Sequence, residues 1–143
     1  MKRGHAIALP LPIWQDPQSN LQLRFAAGRA EVEFDCWNAD GNEADFTGVV
    51  VFEGVWATRS VGSEFVPFEV QPHQYHSYIL RVEASAWIEE LADARNAAYT
   101  DWPRTAAAEY SHYIVVGHGD YAEIIARSFR VEQRPIHPAP HAR

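Results

Sequence analysis

The chain has 143 residues, of which 47% are hydrophobic, 13% aromatic and 22% charged. This is the composition of a folded protein and not of a disordered one. Twelve Lys and Arg face 19 Asp and Glu, a formal net charge of −7, which argues against the basic footprint of a sequence-independent nucleic-acid binder.

A single cysteine, Cys36, excludes an intrachain disulfide and a disulfide-stapled secreted scaffold. The start is basic, Met1-Lys2-Arg3, but the apolar stretch from Ala6 to Trp14 is short and broken by Pro10 and Pro12. It reads as mature chain and not as a signal peptide. No apolar run approaches the ~18 residues of a membrane helix, so the expected location is the cytoplasm.

Period-two alternation dominates the first half. Leu21, Leu23 and Phe25 alternate with Gln22 and Arg24; Val32, Phe34 and Cys36 alternate with Glu31, Glu33 and Asp35. Each pattern predicts a strand with one face in the core and one in water, and Ala27-Gly28-Arg29 is short enough to join them as a hairpin. Asn38-Ala39-Asp40-Gly41-Asn42 is a turn. A long strand is expected from about Phe46 to Thr58, central in the sheet because Val49-Val50-Val51-Phe52 is apolar on both faces. Gly54 marks a bulge or close packing within it.

Between Ser60 and His76 the spacing predicts loops around a short edge strand near Phe65 to Val70. Tyr78 to Glu83 is a strand. Ser85 then caps a helix whose face is marked by Ile88, Leu91, Ala92, Arg95 and Tyr99, and which stops before Pro103. A short helical turn covers Thr105 to Ala108. The last unit is a hairpin, His112–Val116 and Tyr121 to about Glu132, with a bulge near Ser128 where the apolar side changes parity. Residues 135–143 contain three prolines and predict a flexible tail after a single domain, 1–134. The expected fold is α+β: one twisted antiparallel sheet of about 6–8 strands with one main helix packed on one face.

No catalytic motif emerges. Of seven histidines, His73 and His76 lie three apart without a nearby third ligand, so no metal site is predicted. His112 and His118 read as an exposed strand residue and a turn residue. Cys36 points inward beside Asp35 and Trp37, a place for an inert thiol. There is no Gly-x-Ser-x-Gly elbow, and Gly117-His118-Gly119 lacks the third glycine of a phosphate loop. No catalytic residue and no cofactor are assigned.

The charge map is more specific. Glu31, Glu33, Asp35, Asp40, Glu43, Asp45 and Glu53 all lie between Ala30 and Thr58, an interval with no Lys or Arg. Acids and bases elsewhere balance at twelve each, so this interval carries the whole excess. Glu31, Glu33 and Asp35 share one strand face at ~7 Å between alternate residues. Such a cluster is either a solvated face or a negative surface that steers a basic partner. With Trp37 and Phe46 as aromatic anchors, Glu31, Glu33, Asp35, Asp40, Glu43 and Asp45 form the candidate partner-binding set.

The segments Tyr78–Leu91 and His112–Ala126, strand into helix and then hairpin, resemble small bacterial α+β proteins, some of them similar to immunity proteins paired with secreted toxins. The resemblance implies a sheet plus helix and carries no catalytic residue. The leading expectation is a non-catalytic protein-binding module, an immunity protein neutralising a basic toxin through the acidic hairpin. The alternative is a small-ligand-binding protein or an enzyme with a pocket between sheet and helix, lined by Trp and Tyr. A third is a structural subunit assembling through sheet edges.

Overall fold

The computed structural model describes residues 4–136. The expectation of one antiparallel sheet of about 6–8 strands in an α+β fold is overturned. Strands make up 50% and helix only 14% of the described residues, with eleven strands in two sheets.

The six-stranded sheet A contains β1 (Gly4–Pro10), β6 (Ala57–Val61), β7 (Phe68–Val70), β8 (Tyr78–Val82), β9 (Ser111–Val116) and β10 (Tyr121–Ala126), in the order β6-β10-β9-β8-β1-β7. The five-stranded sheet B contains β2 (Trp14–Gln15), β3 (Gln22–Ala26), β4 (Arg29–Trp37), β5 (Glu43–Glu53) and β11 (Ser128–Pro135). Its order is β11-β5-β4, with β2 and β3 sharing the far edge of β4. All pairings are antiparallel except β1 with β7.

Two long apolar runs explain why one sheet becomes two. The strand expected from Phe46 to Thr58 breaks at Gly54: β5 belongs to sheet B and β6 to sheet A. The second arm expected from Tyr121 to Glu132 breaks at Arg127 in the same way, so the parity change near Ser128 is a crossing between sheets and not a bulge. The two corners lie side by side. The Arg127 N–H donates to Glu53 O, and the Trp56 N–H donates to Ile125 O. Gly54 has φ +62°, and a Cβ there would sit 2.9 Å from Arg127 Cδ. Glycine therefore suits this corner on two counts, backbone and space.

The main core lies between the sheets. Val32, Phe34 and Cys36 of β4, with Val50 and Phe52 of β5, pack against Ile79, Val115, Ala122 and Ile124 of sheet A. Phe52, Tyr113 and Phe129 lie 5.2–6.2 Å apart and tie β5, β9 and β11 together. Val49 to Phe52 are all at 0% exposure, as expected for a central strand. Burial pushes the Cys36 thiol up to about 11, consistent with an inert cysteine.

α1 (Ala86–Ala98) and a 3-10 turn (Arg104–Glu109) lie outside sheet A, on the face away from sheet B. Ser85 caps α1 as expected, its Oγ accepting from the Ile88 N–H. Pro135 belongs to β11, and the Ile136 N–H donates to Asp45 O, so the sheet takes in the first residue of the expected tail. Residues 137–143 lie outside the described residues. No helix among the described residues is long and apolar enough to cross a membrane.

Candidate functional site

The acidic face of β4 is not a free negative surface. Its neighbour β3, and β11 from the far side of β5, bring arginines onto the same side of sheet B. Arg24 reaches Glu33 at 2.8 Å and Glu31 at 3.5 Å. Arg134 meets both oxygens of Glu31 at 2.9 and 2.7 Å. Glu53 is held by Arg29 at 2.8 Å and Arg130 at 2.7 Å. Hydrogen bonds from Arg134 drive the Glu31 carboxyl down to about 2. The Thr47 hydroxyl, followed by Arg24, lowers Glu33. Three of the seven acids are thus neutralised by arginines that sequence order had placed outside the interval.

The other four, Asp35, Asp40, Glu43 and Asp45, make no ion pair among the described residues and are exposed. The Asp40 carboxylate accepts from the Asn42 N–H in the β4–β5 turn, which lowers its pKa. The negative excess therefore collects at one end of sheet B.

At that end lies an open groove of about 530 Å³. Its walls include Trp14, Trp37, Phe46, Tyr75 and His76. β2 pairs with β4 at Trp14 and Trp37, which sets the two indoles edge to face at 5.7 Å. His76 lies 4.7 Å from Trp14. Asn38 and Gln133 add amide groups to the lining. The structure thus brings together Trp37 and Phe46 of the predicted set, flanked in the chain by Asp35, Asp40 and Asp45. It separates Glu31 and Glu33 from them. Sequence reasoning missed Trp14, whose partner across β2 and β4 has no local signal.

A second polar cluster lies on the other side of the molecule, under the start of α1. His112, expected to be exposed, is 1% exposed, and Glu123 is 2% exposed. They face each other from the outer side of β9 and β10. His112 Nε2 is 2.7 Å from Glu123 Oε1, and His112 Nδ1 is 2.7 Å from Ser85 Oγ. Arg59 of β6 closes the chain by donating through Nε at 2.5 Å to Glu123 Oε2, with its guanidinium 4.0 Å over the Trp87 ring. Trp87 and Phe68 meet the His112 ring edge to face at 5.4 and 5.8 Å. Burial works to raise the Glu123 pKa, but hydrogen bonds from His112 and Arg59 outweigh it and hold the carboxylate ionised.

A crevice of about 390 Å³, lined by Ser85, His112, Ile88, Arg81, Arg104 and Tyr110 among others, opens beside this cluster. It occupies the place expected for a pocket between sheet and helix, though its lining contains no Trp.

No group of three or more His, Cys, Asp or Glu is placed to hold a metal among the described residues. His73 stacks against Tyr75 and meets Tyr78 edge to face, and His76 lies tilted against Trp14. Comparisons with family models, with curated proteins and with solved structures found no match to this chain.

Proposed function

We propose that the chain is a protein-binding module that uses the Trp14–Trp37 groove to take a cationic segment of its partner. The carrying observation is the joint position of the two indoles and the unneutralised acids at one end of sheet B. Aromatic side chains supply large rigid contact area and attract cations to their faces. Carboxylates around them raise the encounter rate with a positive partner and repel a negative one. A Lys- or Arg-bearing segment meets both demands. The resemblance to toxin-immunity proteins supplies one such partner, a basic toxin.

This reading moves the contact surface. The paired face of Glu31 and Glu33 lies outside it, and Trp37, Asp40, Glu43, Asp45 and Phe46 remain inside it. The test is a titration with extended peptides of equal length, cationic, neutral and anionic, followed by tryptophan fluorescence at low and high salt. The cationic peptide binds, salt weakens it, and either Trp37→Ala or the triple variant Asp40→Lys, Glu43→Lys, Asp45→Lys abolishes the signal. Equal affinity for all three peptides overturns the reading.

A further inference from the structure

We propose that Ser85 is an acyl-transfer nucleophile, activated by His112 and oriented through Glu123, in the crevice between α1, the 3-10 turn and the paired ends of β8 and β9. This goes beyond the groove and stands independently of it.

The roles follow from hydrogen-bond logic. The Glu123 carboxylate can only accept, and Arg59 already donates to it. His112 Nε2 must therefore carry the proton that faces Glu123 Oε1. In the neutral ring this leaves the Nδ1 lone pair directed at Ser85 Oγ, 2.7 Å away. One nitrogen accepts from the nucleophile while the other donates to a buried carboxylate. That is the requirement for a base-activated serine. The two nitrogens exchange places relative to the familiar hydrolase arrangement, and the proton transfer needs only that they be opposite.

Two further observations separate this from a plain helix cap. First, a cap needs only an acceptor, which Asn or Asp would supply. Ser85 also joins a buried His112–Glu123 pair that Arg59 closes from the solvent side, and such buried pairs are often less stabilising than an apolar replacement. Second, Ala84 has φ +49°, a left-handed conformation that costs an L-residue about 1–2 kcal/mol. Strain of this kind collects where a side chain must be held in place. Here it turns the chain sharply from β8 into α1 and places Ser85, 7% exposed, in the lining of the crevice. The positive end of the α1 dipole lies beside Oγ and favours developing negative charge.

The substrate class is a small carboxylic ester, sized to about 390 Å³. Ser85 Oγ attacks the carbonyl carbon while its proton passes to His112 Nδ1. The C–O bond to the alcohol breaks, and the leaving alkoxide takes that proton. Water, deprotonated by the same nitrogen, then attacks the acyl-serine and releases the carboxylic acid, returning the proton to Oγ. The sum is ester plus water giving acid plus alcohol.

The test uses the full chain with a fluorophosphonate probe, mapped by peptide mass spectrometry, and with p-nitrophenyl acetate. The expected result is one adduct on Ser85 and a burst of nitrophenolate. Ser85→Asn, which keeps the cap, abolishes both. His112→Gln slows labelling by about 100-fold or more, the lower range for loss of a general base. Glu123→Gln shifts the pH profile of labelling, a readout that a structural role alone does not move. The wild-type measurement needs no variant to fold. A natively folded chain without an adduct on Ser85, or labelled equally fast as His112→Gln, overturns the proposal.

Discussion

Glu31 and Arg134, 103 residues apart in the chain, meet through two hydrogen bonds at 2.9 and 2.7 Å across the central strand β5. β4 and β11 flank β5 on either side, and Val49 and Val51 lie between them at 0% exposure. The stems of the charged side chains form the lid over these valines, in the way long ionic side chains cover apolar surface. The charged face of sheet B is thus a structural layer, in which four arginines (Arg24, Arg29, Arg130, Arg134) match four glutamates (Glu31, Glu33, Glu53, Glu132).

A double-mutant cycle on Glu31→Ala and Arg134→Ala should show a coupling of about 1 kcal/mol, typical of a partly exposed but bidentate pair. Reversing Glu31, Glu33 and Asp35 to Lys together should destabilise the fold itself, because Arg24 and Arg134 would then face like charges. Urea denaturation midpoints measure both. An unchanged midpoint in the triple reversal would contradict the structural role of this layer.

Acid should weaken the same layer with a defined sign. The Glu31 carboxyl is lowered from 4.5 to about 2 in the folded chain. A depressed folded pKa gives stability that is complete above the unfolded value and lost as pH falls through the folded one. The loss therefore runs from about 4.5 down to about 2 and amounts to roughly 1–2 kcal/mol once solvent screening is allowed for. Glu33 shifts in the same direction. Denaturation midpoints followed across this window should fall less steeply in Glu31→Gln than in the wild type.

Local patterns in the sequence predicted the elements better than their assembly. The alternation of Val32, Phe34 and Cys36, the Ser85 cap and the break before Pro103 each have a local cause, and each appears where expected. The passage from one sheet to the other does not have one. A corner reads locally as an irregularity within one strand, so Gly54 read as a bulge or close packing, and the parity change beside Arg127 read as a bulge near Ser128. The same limit hid the ion pairs of Glu31, because register between β4, β5 and β11 decides which arginine lies opposite. It also hid His112 and Glu123. Alternation alone makes them an outward-facing pair, and only α1 folding over that face buries them. Trp37 and Phe46, which line the groove, were singled out because their aromatic character beside acids was visible locally.

Gly48 should be intolerant of even one methyl group. A Cβ there would come within 2.7 Å of Phe34 and 2.9 Å of Cys36 Sγ, and closer still to Ile13 Cδ1. Gly48→Ala should cost about 1–3 kcal/mol by overpacking. Ile13→Val removes the nearest atom, so the pair of substitutions should be less destabilising than their sum. Chemical denaturation of the two singles and the double gives the answer, and strict additivity would show that Ile13 is not the obstacle.

The buried carboxylate of Glu123 should dominate the stability of the outer side of sheet A. Its side chain is 3% exposed and that of His112 is 2%, whereas Arg59 is 48% exposed. Glu123→Ala leaves His112 without its acceptor in a dry site and should cost about 3–5 kcal/mol, the range for breaking a buried pair. Arg59→Ala should cost less, because Glu123 keeps His112 and the missing guanidinium was already half in water. The Trp87 ring, stacked under Arg59 at 4.0 Å, provides a local reporter. Its environment should change in Arg59→Ala even where the denaturation midpoint moves little. Denaturation curves for the two variants, read beside tryptophan emission, test the order. Arg59→Ala costing as much as Glu123→Ala would mean that the exposed guanidinium, and not the buried carboxylate, holds this cluster together.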